Sequence, residues 1–148
     1  MANSTAMCTS FKSELLTAVH NFTPSTGNTF KAALYFATGS LGAGTTAYAT
    51  TNEVTNTSGT GYTAGGVTVT NATAPTTSGT TAYWTPSASF TWTALTVTTA
   101  FDAVLIYNSS ASNKAVSVHN FGSQTVTAGT FTLTMPTNDA TTGLLRIA

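Results

Sequence analysis

The stretch that decides the fold is FTWTALTVTTAFDAVLIY, residues 90–107. Its first part alternates. Phe90, Trp92 and Ala94 fall on one side of an extended chain and Thr91 and Thr93 on the other, because successive side chains of a strand point to opposite faces. Such a strand lays one face on a core and wets the other with hydroxyls. Val104, Leu105, Ile106 and Tyr107 do not alternate; they are apolar throughout, which predicts a central strand covered on both faces. Working outward, the two-residue rhythm returns in Val67 and Val69 against Thr68 and Thr70, in Val116 and Val118, and in Phe131, Leu133 and Met135 against Thr132 and Thr134. The run 30–36 (FKAALYF) reads as a compact apolar strand and 144–147 (LLRI) as a short closing one. Turn-forming clusters at 26–28, 109–113 and 136–139 separate these runs, the punctuation of a sandwich or barrel.

One segment has a different period. Phe11, Leu15, Val19 and Phe22 recur at helical spacing with Leu16 beside them, which predicts a helix over 10–22, capped by Thr9 or Ser10 and stopped before Pro24. The expected architecture is therefore all-β: a β-sandwich of jelly-roll type with a short N-terminal helix. It forms a single domain over 1–148, with an arm at 1–9, the helix at 10–22 and the sandwich at 30–148. A domain of this length buries roughly 68–70% of the surface its unfolded chain exposes, so no disulfide or metal staple is required. Cys8 is the sole cysteine and reads as a buried or idle thiol. The excursion 38–82 is different, with few large apolar side chains among Thr, Gly, Ala and Asn. It reads either as long loops flanking the strand at 67–70 or as holding further weakly patterned edge strands, for example around 47–54.

Composition narrows the function. Asp, Glu, Lys and Arg make up 5% of the chain, against about 25% in an ordinary soluble domain. Threonine fills 36 of 148 positions, and the net charge is zero. Hydroxyls must do most of the wetting, and little repulsion separates one copy from the next, so a homo-oligomer is expected. Four scattered bases, Lys12, Lys31, Lys114 and Arg146, form no patch for nucleic acid. No apolar run reaches the roughly 20 residues of a membrane helix, and the first residues lack the positive charge and apolar run of a secretory signal. Synthesis in a cytoplasm is the expectation.

Chemistry-bearing motifs are sparse. The acids are Glu14, Glu53, Asp102 and Asp139 and the imidazoles His20 and His119, and no spacing pairs two carboxylates across a cleft. Asp102 with His119 and a serine would make a triad only through the tertiary fold, and no nucleophile elbow is present. Asp102 is expected to begin a strand. The glycines of GTGYTAGG, residues 59–66, run into a strand rather than a helix and lack the lysine of a phosphate loop. The Asn-x-Ser/Thr triplets at Asn3, Asn21, Asn56, Asn71 and Asn108 are what so Thr-rich a chain gives by chance. No enzyme activity, cofactor, metal or small-molecule substrate is expected. Trp84, beside Tyr83 and before Pro86, is the one aromatic that could offer a sugar-stacking face, and core or protein interface is the favoured role for the aromatics.

The segments ANSTAMCTSFKSELLTAVHNF (2–22), TFKAALY (29–35), GTGYTAGG (59–66), FDAVLIYN (101–108) and TNDATTGLLRIA (137–148) together resemble the small virion structural proteins of tailed bacteriophages. The resemblance spans most of the chain. Within that group, small Thr/Ala/Gly-rich β proteins are often head decoration, or cement, proteins. The resemblance thus implies a protein of the virion's capsid surface that clamps neighbouring subunits of its partner, the major capsid protein. A tail or head–tail junction component and a carbohydrate-binding module are the alternatives. The family supplies no catalytic residues. The expected contact residues, toward the shell or another copy, are Phe11, Leu15 and Val19 of the helix, Tyr48 and Tyr62 of the excursion, and Trp84, with Tyr62 as the anchor.

Overall fold

The computed structural model describes residues 2–54 and 61–148. Its elements are β1 (Ala6–Met7), α1 (Thr9–Leu16), β2 (Phe30–Phe36), β3 (Val67–Thr68), β4 (Thr76–Ser78), β5 (Thr81–Trp84), β6 (Phe90–Asn108), β7 (Lys114–Leu133) and β8 (Leu145–Ile147). The chain is mostly β, and every strand pairing is antiparallel. A five-stranded sheet has the order β1-β7-β6-β2-β3, and a three-stranded sheet the order β4-β5-β8.

The stretch 90–107 is one strand rather than two. β6 and β7 run 19 and 20 residues as a single hairpin, from Phe90 opposite Leu133 to Asn108 opposite Lys114. Strands usually run 3–10 residues, and this pair exceeds that by accepting register shifts, four of them between Trp92 and Ala103. Ala94 (φ 52°) and Ala128 (φ 47°) sit at such shifts in the left-handed region, where an extra residue bends the strand without ending it. Asp102 consequently lies inside β6 instead of beginning a strand. The apolar end behaves as its composition predicts: β2 and β7 flank β6 there, and every residue from Phe101 to Asn108 is buried.

The helix is shorter than the apolar period suggests. α1 stops at Leu16, where Val19 N–H donates to the Glu14 carbonyl and Ala18 N–H to the Leu15 carbonyl, with Ala18 left-handed at φ 56°. This is the helix-ending pair of bonds that usually recruits glycine, here built on alanine. Val19 and Phe22 therefore belong to the connection, not to the helix stripe. Its N-cap is Cys8, without a side-chain capping bond, so neither Thr9 nor Ser10 serves. Phe22 instead stacks on Phe30 at 4.3 Å between ring centroids and meets Trp84 at 4.8 Å, tying β2 to the smaller sheet.

The excursion is drawn inward. It contributes β3, β4, single bridges of Glu53 to Tyr35 and of Ala47 to Lys114, and the buried side chains Val54, Tyr62 and Val69. Gly66 (φ 72°) lies so close to the Ala32 carbonyl that a Cβ would collide with it, which lets this segment lie directly on β2. Gly59 and Thr60 of GTGYTAGG, and the triplet at Asn56, fall outside the described residues.

Candidate functional site

Two of the acids, Glu53 and Asp102, turn to the interior. Glu53, 3% exposed, accepts hydrogen bonds from Tyr48 Oη (2.6 Å), Tyr62 Oη (2.8 Å) and the Gly65 amide (2.6 Å). Tyr107 Oη donates to the Gly65 carbonyl at 2.8 Å, and Tyr48 stacks on Tyr107 at 4.6 Å. Burial, and then the Glu53 charge, push Tyr62 and Tyr107 above the ordinary phenol range, Tyr107 to about 12. These phenols stay protonated, Tyr62 as a donor to the carboxylate and Tyr107 as a donor to the Gly65 carbonyl. This cage pins the excursion to the sheet.

Asp102, also buried, takes Asn3 Nδ2 at 2.6 Å and Asn120 Nδ2 at 3.0 Å, fastening the N-terminal arm across β6 and β7. Glu14 receives Lys114 Nζ at 2.5 Å and His20 Nε2 at 2.8 Å. Asn108 Nδ2 faces both His20 Nδ1 (3.1 Å) and Asn28 Oδ1 (2.9 Å), so His20 Nδ1 accepts and the Nε2 proton goes to Glu14. Burial alone would raise the Glu14 carboxyl, but the bonds from Lys114 and His20 outweigh it and hold it below its usual range. The His20 side chain has no exposed surface, and both ring nitrogens are engaged, so no substrate reaches it.

The triad weighed from the sequence is not assembled. Both Asp102 oxygens are taken by asparagines, while His119 Nε2 lies 2.9 Å from Ser117 Oγ. That pair lines a cavity of about 430 Å³ between β1, β7 and β8. Burial pushes the imidazole down to about 4, leaving it a poor acceptor for a serine proton near neutral pH. Among the described residues no carboxylate hydrogen-bonds to His119, and no three His, Cys, Asp or Glu side chains cluster as metal ligands. Cys8 is fully buried, its thiol raised to about 11 first by burial and then by Glu14.

The large apolar side chains that face solvent lie in one place. α1 turns Phe11 into the core at 1% exposure, which leaves Leu15 half-buried and Leu16, the next residue round, 89% exposed. In β8 the alternation buries Leu145, while Ile147, at the strand's end beyond the core, is 49% exposed. Leu16 and Ile147 are the exposed large apolar side chains among the described residues, and both line one groove of about 450 Å³. Met7 and Leu15 extend its floor, and Lys12 and Arg146 stand at its sides. A smaller apolar cleft of about 130 Å³ continues from Leu15 and Ile147 toward Trp84 and Pro75.

The expected contact residues divide. Phe11, Tyr62 and Trp84 lie inside, at 1%, 1% and 3% exposure, and Trp84 Nε1 donates to Asn71 Oδ1 at 2.9 Å. Tyr62 packs into its own subunit, held by Glu53 and by the Leu34 amide, so it presents no anchor outward. Leu15, Val19 and Tyr48 are half-buried, and of these Leu15 alone reaches the groove. Leu16, Ile147, Lys12 and Arg146 were not singled out by sequence reasoning. A signal existed in the Leu15–Leu16 doublet, because adjacent positions on a helix lie about 100° apart and a narrow buried stripe cannot take both. Among the described residues, no helix is long and apolar enough to cross a membrane. Comparison with known proteins returns no match: no family model fits the chain, and no curated protein or solved structure matches it.

Proposed function

We propose that this chain is a virion structural protein of the head-decoration kind, which acts by association and not by turnover. The observation that carries the reading is the distribution of polarity. Glu14, Glu53 and Asp102 are spent inside the subunit, while Leu16 and Ile147 stand in solvent on one groove. A subunit that hides most of its acids and leaves two large aliphatic side chains together in solvent is suited to be covered there. The partner on this reading is the major capsid protein, with copies of the chain also meeting one another because so little charge separates them. Many modest contacts repeated over a lattice stabilise it by mass action, since the protein binds assembled shell and not free subunits.

The all-β character supports the reading. The jelly-roll winding is not needed by it, since the central pair is a hairpin of consecutive strands. The carbohydrate alternative loses its platform, because Trp84 is buried with its indole N–H already bonded. The test is quantitative mass spectrometry of purified particles of the phage that encodes the chain, together with co-sedimentation on emptied heads. Copy numbers in the hundreds and saturable binding to heads are expected. Six or twelve copies, the count of a symmetric ring, would move the protein to the head–tail junction. Absence from the particle would overturn the proposal.

A further inference from the structure

The three-stranded sheet β4-β5-β8 is joined to the main body at few points. Of the ten residues in its strands, only Trp84 and Leu145 are buried. Gaps flank it on both sides. A cavity of about 430 Å³ separates Leu145 and Arg146 from Met7 and Ser117, and the apolar cleft of about 130 Å³ separates Tyr83 and Ile147 from Phe11 and Leu15. Atoms that line a gap have no partner across it, so these surfaces have little packing to lose when they part. Three connections, 69–75, 85–89 and 134–144, join the small sheet to the rest, and each carries a proline, at Pro75, Pro86 and Pro136. Proline fixes φ and offers no N–H, so no ladder runs through these connections from one sheet into the other.

What holds the small sheet down is a latch. Trp84 meets the rings of Phe22 and Phe30 at 4.8 and 6.2 Å, and its Nε1 donates to Asn71 Oδ1 at 2.9 Å, while Asn71 Nδ2 donates to the Phe22 carbonyl at 2.9 Å. Among the described residues no other hydrogen bond leaves these three strands for the main body. Leu144 donates to Thr85 Oγ1, beside β5 itself, and Arg146 to the Thr141 carbonyl within the same closing segment. We infer that β4, β5 and β8 form a flap that opens as one unit from the main sheet, held shut by Trp84 and Asn71, and that opening uncovers the Phe11 and Phe22 rings beneath it. The flap stands whether or not the chain decorates a head.

Native-state hydrogen exchange of the full chain, followed by NMR in low urea, tests it. The ladder amides of Ala82 to Trp84 and Leu145 to Ile147 are expected to share one opening, with protection at least about a hundredfold below that of Val104 to Tyr107. The urea dependence of that opening should be shallow, because it exposes less surface than the global unfolding that releases Val104 to Tyr107. Asn71→Ala removes both bonds of the latch, and Trp84→Phe removes the donated one while keeping a ring. Each is expected to lower the protection of the flap about tenfold. Equal protection and equal slope in the two regions would overturn the inference, since the small sheet would then open only with the whole molecule. So would unrelated values in β5 and β8, the mark of strands fraying one by one, or flap protection unmoved by both variants. Should either variant fail to fold, the wild-type profile still decides.

Discussion

The two ends of the β6–β7 hairpin are made of the same kinds of residue and are buried to different depths. At the inner end, residues 101–108 are buried without exception and 115–118 likewise, flanked by β2 on one side and β1 on the other. At the outer end the ladder of residues 90–100 runs only along β7; Phe90, Trp92, Leu95 and Val97 are buried there, but not one residue of 121–133 is. Both ends carry aromatic and β-branched side chains, so strand propensity does not separate them. Neighbours do. β2 ends where Phe36 meets Phe101, and β1 reaches no farther along β7 than Val118. A two-stranded ribbon is marginal by itself, and this one leans on a chain of rings, with Phe131 at 5.0 Å from Phe101, 5.3 Å from Phe121 and 5.9 Å from Trp92. The bends at Ala94 and Ala128 lie in this outer end, where they also turn a long exposed edge away from flat pairing with other strands.

The comparison breaks first if the inner end is not the stabilising core. Leu105 has no exposed surface, and Leu105→Ala is expected to cost about 2–5 kcal/mol in urea unfolding through lost transfer energy and the cavity left behind. A cost under about 1 kcal/mol would mean the inner packing relaxes freely. Next comes the polar cage laid over that end. Glu53→Gln replaces an acceptor of three donors by an amide whose NH₂ must face one of them, and roughly 1–3 kcal/mol should be lost. A neutral outcome would show that Tyr48, Tyr62 and Gly65 do not depend on the charge. At the outer end Phe131→Ala should cost less than the 3–5 kcal/mol of a fully buried phenylalanine, about 1–2 kcal/mol, because the ring is already half in water. A loss equal to that of Leu105→Ala would erase the distinction between the ends.

Much of this architecture was legible and its pairing was not. The unbroken run Val104 to Tyr107 announced a strand covered on both faces, and the phase of Phe90 with Trp92 announced two core side chains, which are 2% and 3% exposed. Periodicity reports which face a residue occupies but not where a strand bends, so the continuity of β6 through Ala94 was invisible. The helix end was hidden because alanine at a left-handed position gives no glycine signal. The excursion misled for another reason. A few tyrosines among glycines resemble a loop tip, yet one buried carboxylate, Glu53, gathers two phenols and an amide and turns the segment inward. No local pattern announces a bond between residues brought together by the tertiary fold. The groove was half-legible, since Leu16 was noted beside the stripe, while Ile147 reads like any other residue of a closing strand.

The smallest expected effect lies where the two ends meet. His119 pairs opposite Val104, just past the point where β7 loses its outer neighbour β1, and burial pushes its imidazole from 6.5 down to about 4. The folded protein refuses a proton that the unfolded chain accepts below about pH 6.5. Between pH 6.5 and 4 the unfolded state thus binds more protons, so stability is fully present above that window and falls as the pH falls through it. With the ring only partly enclosed, the loss by pH 5 should be about 1 kcal/mol. Glu14 and Asp139 act elsewhere on the scale. Hydrogen bonds from Lys114 and His20 to the first, and from Thr142 and Thr141 to the second, hold both below the usual carboxylate range, and their contributions fade at pH values under about 4.5. Urea midpoints at pH 7 and pH 5 therefore isolate the imidazole when wild type is compared with His119→Gln. The wild-type midpoint should drop more than that of the variant. Equal drops would place the imidazole in water, and the buried zone of the hairpin would then end before residue 119.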